Sequence, residues 1–493
     1  MGPSMKITSH RRLVIVIAIL AISLACTCFG SSVIPQSPTQ VLQEDPTPTQ
    51  EAQEPPSPTP PEQVIPELNP SGPWLLISTD TGLWATNPEG MNLTQIWQGD
   101  FWQAELAGAI QPGGNQVVIL TSDEDRYHHL ALNLLSLPDG DLHKITDLTT
   151  PETEPGPDAM PGETSVEAVR AIADTISFAW SPDGTKLAFI GVLDGPTADV
   201  YLYDTITNAI RRVSQDDAQD YWPSWSPDGE LILFFGVEAF GTGAGYAMKG
   251  VWSANGDGSD VRLLYEPSSF GEELVGWRDA QTAVLDSWNP SCGSGSLRLY
   301  NIVTKAETIL EEDCFQSAAA WSWNGIEANP VMFSTSDGLF LLPGDSNKVG
   351  KLSDAPAGFL RWDPAGYMLV AKFEGGSMAT FISRDGAERY DAPFTVQSPW
   401  DADVSMYGLI WAWTDNSYEL GGVWITGPGM DIGEIFSRPA YAPIWAFDNS
   451  LLFFSGSELG TDLYRATFPG YLDATAVAHL DETVRDVGWV GTR

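Results

Sequence analysis

Cys292 and Cys314 are the two cysteines lying well inside the chain, in one stretch of sequence. Two thiols so placed can form a disulfide, bind a metal or supply a nucleophile. No histidine stands near either one, so in an exported chain the disulfide is the leading expectation. Closing that loop would stabilise the fold by roughly 3 kcal/mol on the chain-entropy view. The five histidines are His10, His128, His129, His143 and His479. No HExxH occurs, and no pairing of His with Cys has zinc spacing. His128 and His129 follow Asp123-Glu-Asp-Arg126. They read as a polar loop, with a metal site as the alternative.

Hydrolytic chemistry finds little support. There is no G-x-S-x-G elbow and no sign of a hydrolase domain. With 65 acidic residues, paired carboxylates for glycoside hydrolysis stay open, but no pair stands out. Asn255-Gly-Asp-Gly-Ser-Asp260 has some acidic spacing of a calcium loop but lacks its terminal Glu, and it fits a tight turn. Ser78-Thr-Asp-Thr-Gly82 resembles the Asp-box turn of sialidases, with Trp84 one place early; a hairpin turn is the plainer reading. No catalytic residue, metal site or cofactor is expected.

The elements that would position any such site are set by a repeat. Trp180-Ser-Pro-Asp-Gly184 returns as Trp225-Ser-Pro-Asp-Gly229, each copy between two apolar runs. Pro and Gly at these places suit a type I turn, so each copy reads as strand, turn, strand. Looser copies begin at or after Trp277, Trp321, Trp362, Trp400, Trp445 and Trp489. Successive Trp are 45, 52, 44, 41, 38, 45 and 44 residues apart. Ile110-Gln-Pro-Gly-Gly114 is a further copy without its Trp. Four short strands in such a period make the blade of a β-propeller. A blade is stable only between neighbours, so the eight Trp are expected to fill the core between blades. Counting every unit gives nine; a ring of eight blades is favoured, with one counted unit irregular or merged, and seven or nine are open. Strands Trp74–Ser78, Gly82–Ala85 and Leu93–Trp97 lack a partner, which Val484–Val490 would supply by closing the ring.

The Trp-Ser-Pro-Asp-Gly turn, followed by an apolar strand and a polar Asp-Gly turn, resembles the WD-like repeat of TolB-type propeller proteins. The likeness covers roughly Gly72 to Arg493. It implies a place in envelope complexes. The same repeat occurs in the propeller domains of some peptidases, whose catalytic residues sit on a separate domain.

The chain carries 24 basic and 65 acidic residues, a net charge of −41, across 493 residues. Such a surface repels nucleic acid and anionic lipid. Residues 1–30 read as a signal peptide: Lys6, Arg11 and Arg12, then the uncharged run Leu13–Ala25. Ser23-Leu-Ala-Cys26 resembles a bacterial lipoprotein cleavage site, which implies acylation of Cys26; an ordinary secretory signal is the alternative. Residues 31–72 hold eleven prolines between Pro35 and Pro70 and read as an extended linker. The propeller then occupies 73–493. Leu148–Glu163 interrupts the repeat as an insertion, read as a solvated spacer or a partner contact, and Ser165–Ala173 as a short helix capped by Ser165.

These features describe an exported, membrane-tethered propeller, monomeric, acting as a scaffold for an envelope protein or a small ligand. The alternative is an extracytoplasmic enzyme acting on glycans through carboxylates in the channel.

Overall fold

The computed structural model describes residues 68–493 except 101–104, 124–126, 157, 216, 240–245, 268–270, 290, 313, 321–327, 363–367, 374–378, 388, 392–401, 406–409, 416–420, 428–432, 458–459, 468–470, 472 and 492–493. The signal segment, Cys26, the linker up to residue 67, Trp321 and Trp400 lie outside the described residues.

The described chain is a β-propeller. Its strands form nine sheets, eight of four strands and one of three. Every strand pairing is antiparallel between neighbours in sequence, apart from one closing pair. We number the blades 1 to 9 in chain order. Eight sheets have the expected four strands, so the described ring counts nine sheets where the sequence favours eight blades and leaves nine open. The ninth sheet, blade 2, is the unit that lacks its Trp.

The sequence dictates this regularity through the turn between the first two strands. In blade 3, Ser181 Oγ donates to Asp183 Oδ1 at 2.6 Å and accepts from Lys186 N at 2.9 Å. Thr185 N donates to the same carboxylate at 3.0 Å. Blade 4 repeats the pattern: Ser226 Oγ to Asp228 at 2.6 Å, Leu231 N to Ser226 Oγ at 2.9 Å. Gly184 and Gly229 sit at φ +68° and +72°, a region that side chains resist. Burial works against the charge of Asp183, but bonds from Ser181 and Thr185 outweigh it and hold the carboxyl below its usual range.

Each described repeat Trp is a wedge between blades. Trp180, Trp225, Trp277, Trp362, Trp445 and Trp489 are all buried. Each indole N–H reaches the preceding unit. Trp180 Nε1 donates to Ala109 O, Trp225 to Ala179 O and Trp489 to Trp445 O, each at 3.0 Å. Trp277 donates to Ser224 Oγ at 3.2 Å and Trp362 to Ala319 O at 3.4 Å. A buried donor is thereby satisfied while the ring fills the seam. One apolar cluster runs from Leu76 in blade 1 through Val118 and Phe189 to Trp225 and Phe234 in blade 4.

Strand Trp74–Thr79 pairs with Val484–Val490, Trp74 opposite Val490 and Ile77 opposite Val487. The last strand thus completes the first blade and removes its free inner edge. In blade 2 the inner strand is replaced by one helical turn, Leu106–Ala109, and a single bridge from Ile110 to Val117. Asp486 on the closing strand accepts from Leu106 N at 2.7 Å, capping that turn.

The second helix differs from expectation. It spans Thr164–Ala173, its N-cap is Glu163, and no side chain bonds the cap. Ser165 lies inside the first turn. Glu167 instead reaches back to accept from Gly162 N at 2.7 Å, tying the residue before the N-cap to the first turn.

Candidate functional site

Antiparallel blades have two unlike faces. Turns between strands one and two, and three and four, leave from one. Connections between strands two and three, and from one blade to the next, leave from the other. The Ser-Pro-Asp-Gly turns occupy the first face. The described residues of the insertion, Asp123 and residues 127–130 of blade 2, and the 192–198 connection of blade 3 occupy the second.

The first part of the insertion is tied to its neighbours, although from residue 150 on its described residues are exposed or half-exposed. Leu148 is buried; its N–H donates to Leu130 O and its carbonyl accepts from Val192 N, both at 2.7 Å. Thr149 Oγ1 donates to Glu154 at 3.0 Å, and His129 N donates to the same oxygen at 2.8 Å. His129, at φ +51°, also places Nδ1 2.6 Å from Asp123. At the far end, Tyr127 OH donates to Asp174, which caps the helix, at 3.1 Å. The helix buries Ala168, Val169, Ala171, Ile172 and Ala173. One loop of blade 2 therefore holds both ends of the insertion and its helix.

Between this element and blade 3 lies a cavity of about 580 Å³. The insertion contributes Thr150, Glu152, Thr153 and Glu163, the helix start contributes Thr164 and Ser165, and blade 3 contributes Leu193–Pro196. Hydroxyl- and carboxylate-bearing residues outnumber the others, but the surface lining the cavity is more apolar than polar. Below it, Arg212 ties Asp194 at 3.0 Å to Asp199 at 2.6 Å and donates to Ser214 O at 2.9 Å. Tyr201 OH donates to Asp194. Burial, then that bond to a carboxylate, pushes the Tyr201 hydroxyl pKa far up, so it is a permanent donor. Gly195 passes over this pair: a Cβ there would lie 3.5 Å from Arg212 Nη2.

The sequence located the insertion but not the loops that complete the cavity. Nothing local in 192–198 marks it, since its partner is about forty residues away.

The remaining candidates fall elsewhere. Cys292 and Cys314 are joined, with Cα atoms 6.0 Å apart, on the second face at blade 5. His128 and His129 lie in the pinning loop. Asp257 accepts from Ser259 N at 2.8 Å, so Asn255–Ser259 is a closed turn. Ser78-Thr-Asp-Thr-Gly82 is the hairpin between the first two strands of blade 1 in sequence. Among the described residues, no three His, Cys, Asp or Glu side chains gather to hold a metal. Three inner-strand carboxylates are engaged structurally. Asp403 accepts from Trp445 N at 2.9 Å, Asp486 caps Leu106, and Glu272 pairs with Arg298 at 2.7 Å. Among the described residues, no helix is long and apolar enough to cross a membrane.

No protein-family model matches the chain, and no curated protein does. Solved structures do. A eukaryotic initiation factor is 11% identical at a TM-score of 0.52, over 85% of this chain and 98% of that one. TolB from Acinetobacter baumannii is 14% identical at 0.32, over 66% of this chain and 64% of its own, so the match spans less than two thirds of that protein. An oligogalacturonate lyase in complex with manganese is 15% identical at 0.35, over 73% and 99%. At these identities the likeness is one of fold, which hosts both binding proteins and enzymes.

Proposed function

We propose that this chain is a binding scaffold exported to the bacterial cell envelope. In this reading Cys26 carries a lipid anchor, the 31–72 stretch spaces the propeller from the membrane, and a partner protein or ligand docks on the second face. The observation that carries it is the braced insertion: a repeat fold carries an extra element that is tied down and frames an open cavity. Loops displayed on a rigid scaffold are where such proteins bind. The engagement of three inner-strand carboxylates, Asp403, Asp486 and Glu272, with backbone or an ion pair favours scaffold over glycan chemistry at those positions.

A photo-crosslinking residue placed at Thr153 tests this in cells that make the protein. A reproducible adduct from Thr153, with none from Asn208 on the opposite face, is the expected result. Adducts of equal yield from both positions, or glycan turnover by the purified chain, would overturn it. Metabolic labelling with a fatty-acid analogue should mark the chain and not Cys26→Ser.

A further inference from the structure

Blade 5 displays an exposed tryptophan on the same face, and nothing in the repeat requires it. Trp288 is 46% exposed, whereas the described repeat Trp are buried. It stands at the mouth of the hairpin joining Thr282–Asn289 to Gly293–Asn301. That hairpin is braced at three levels. At its tip, Cys292 is bonded to Cys314 in the connection to blade 6. At the level of the ring, Trp288 N donates to Gly271 O at 2.9 Å, and Ser287 Oγ lies 2.9 Å from Ser296 Oγ. Deeper, the buried pair Arg298–Glu272 at 2.7 Å ties the hairpin to the inner strand, and Arg298 also donates to Tyr265 OH of blade 4 at 2.8 Å. The backbone that carries this aromatic is held firmly, so the platform loses little entropy when something lands on it.

The surroundings say what would land. From Glu266 to Cys314 the chain has nine acidic and three basic residues. Of the bases, Arg298 is spent on Glu272 and Glu307, Arg278 is buried, and Lys305 donates to Leu264 O in blade 4. Glu266, Glu273 and Glu312 are exposed, in or beside the connections that leave this face. An exposed indole in so acidic a stretch attracts a cation through its quadrupole and through charge.

We propose that Trp288 is the centre of a docking site for a lysine- or arginine-bearing segment of a partner protein, with the Cys292–Cys314 disulfide holding the platform in place. The proposal deepens the scaffold reading but uses a different site from the cavity.

The test is calorimetric titration of the oxidised full chain with an octa-arginine peptide, at about 0.15 M salt where long-range attraction is screened. Trp288→Ala and Trp288→Leu should each weaken binding about three- to fivefold, while Trp288→Phe keeps part of it. Cys292→Ser with Cys314→Ser should weaken binding comparably. Unchanged affinity in Trp288→Ala would mean that the peptide coats the acidic surface diffusely, and equal affinity for an uncharged Gly-Ser peptide would remove the cation from the claim. Crosslinking at Thr153 is blind to both results, so the scaffold reading stands or falls separately. Because Trp288 is half in solvent, its variants should fold; matching circular dichroism before titration establishes that.

Discussion

Trp489 Nε1 donates to the carbonyl of Trp445 at 3.0 Å, so the final repeat indole is bonded to the backbone of the one before it. This contact sits at the seam where the ring closes. Phe447 stacks edge-on against Trp489, with centroids 4.9 Å apart, and Leu75, Ile77, Leu452 and Phe454 complete the same cluster. Trp489→Phe keeps most of the ring and loses the bond, costing about 1–2 kcal/mol. Trp489→Ala also opens a cavity, for about 3–5 kcal/mol. Urea unfolding should rank them in that order. Equal losses would mean that the hydrogen bond contributes nothing.

Two glycines at equivalent turn positions should respond unequally to alanine. Gly184 and Gly229 share a positive φ, which alone costs roughly 1–2 kcal/mol. A Cβ on Gly184, however, would stand 2.3 Å from the Pro112 carbonyl oxygen, a backbone atom of blade 2. On Gly229 the nearest atom is Pro182 Cδ at 3.4 Å, an ordinary contact. Gly184→Ala should therefore lower the melting temperature clearly more than Gly229→Ala. Identical shifts would show that the turn of blade 3 moves freely away from blade 2.

The ring was legible in sequence because its devices are local. Trp180 and Gly184 stand within one turn, and the same spacing recurs at Trp225 and Gly229. The closing strand Val484–Val490 was legible because one blade was short of a strand. The seams themselves were not. Lys186 Nζ donates to Gly256 O at 2.9 Å, Arg211 to Asp257 O at 2.9 Å and Arg278 to Ser346 O at 2.7 Å. These scarce cations clip one blade to the backbone of the next across some fifty to seventy residues, where no periodicity points. The bracing of the insertion was hidden for the same reason: nothing local to Glu154 says that His129 N donates to it.

The pair Arg298–Glu272 is buried on both sides, with Tyr265 beside it. Burial and then Glu272 raise the Tyr265 hydroxyl pKa, so the ring stays neutral and accepts from Arg298. Glu272→Gln leaves a buried guanidinium with only the half-exposed Glu307, and should cost about 3 kcal/mol. Replacing both Glu272 and Arg298 by Met should cost less than the single change, since no charge is then stranded. A double-mutant cycle by chemical denaturation measures this. Additive losses would mean that the two charges do not interact.

On the outer strands of blade 9, His479 Nδ1 lies 2.7 Å from Asp462 and Nε2 lies 3.3 Å from Asp481. The bond to Asp462, against slight desolvation, lifts the imidazole pKa above its ordinary value of 6.5. A raised folded-state pKa means that the folded chain holds this proton more tightly than the unfolded one. The stabilisation is therefore complete below the unfolded pKa and fades as pH rises through the folded one. Because the ring is at the surface, salt should weaken the effect. An NMR titration of His479 should give a midpoint above 6.5 that drops in Asp462→Asn and in high salt. A midpoint that ignores both changes would mean that neither carboxylate holds the proton, and that blade 9 has no pH-dependent contact at this edge.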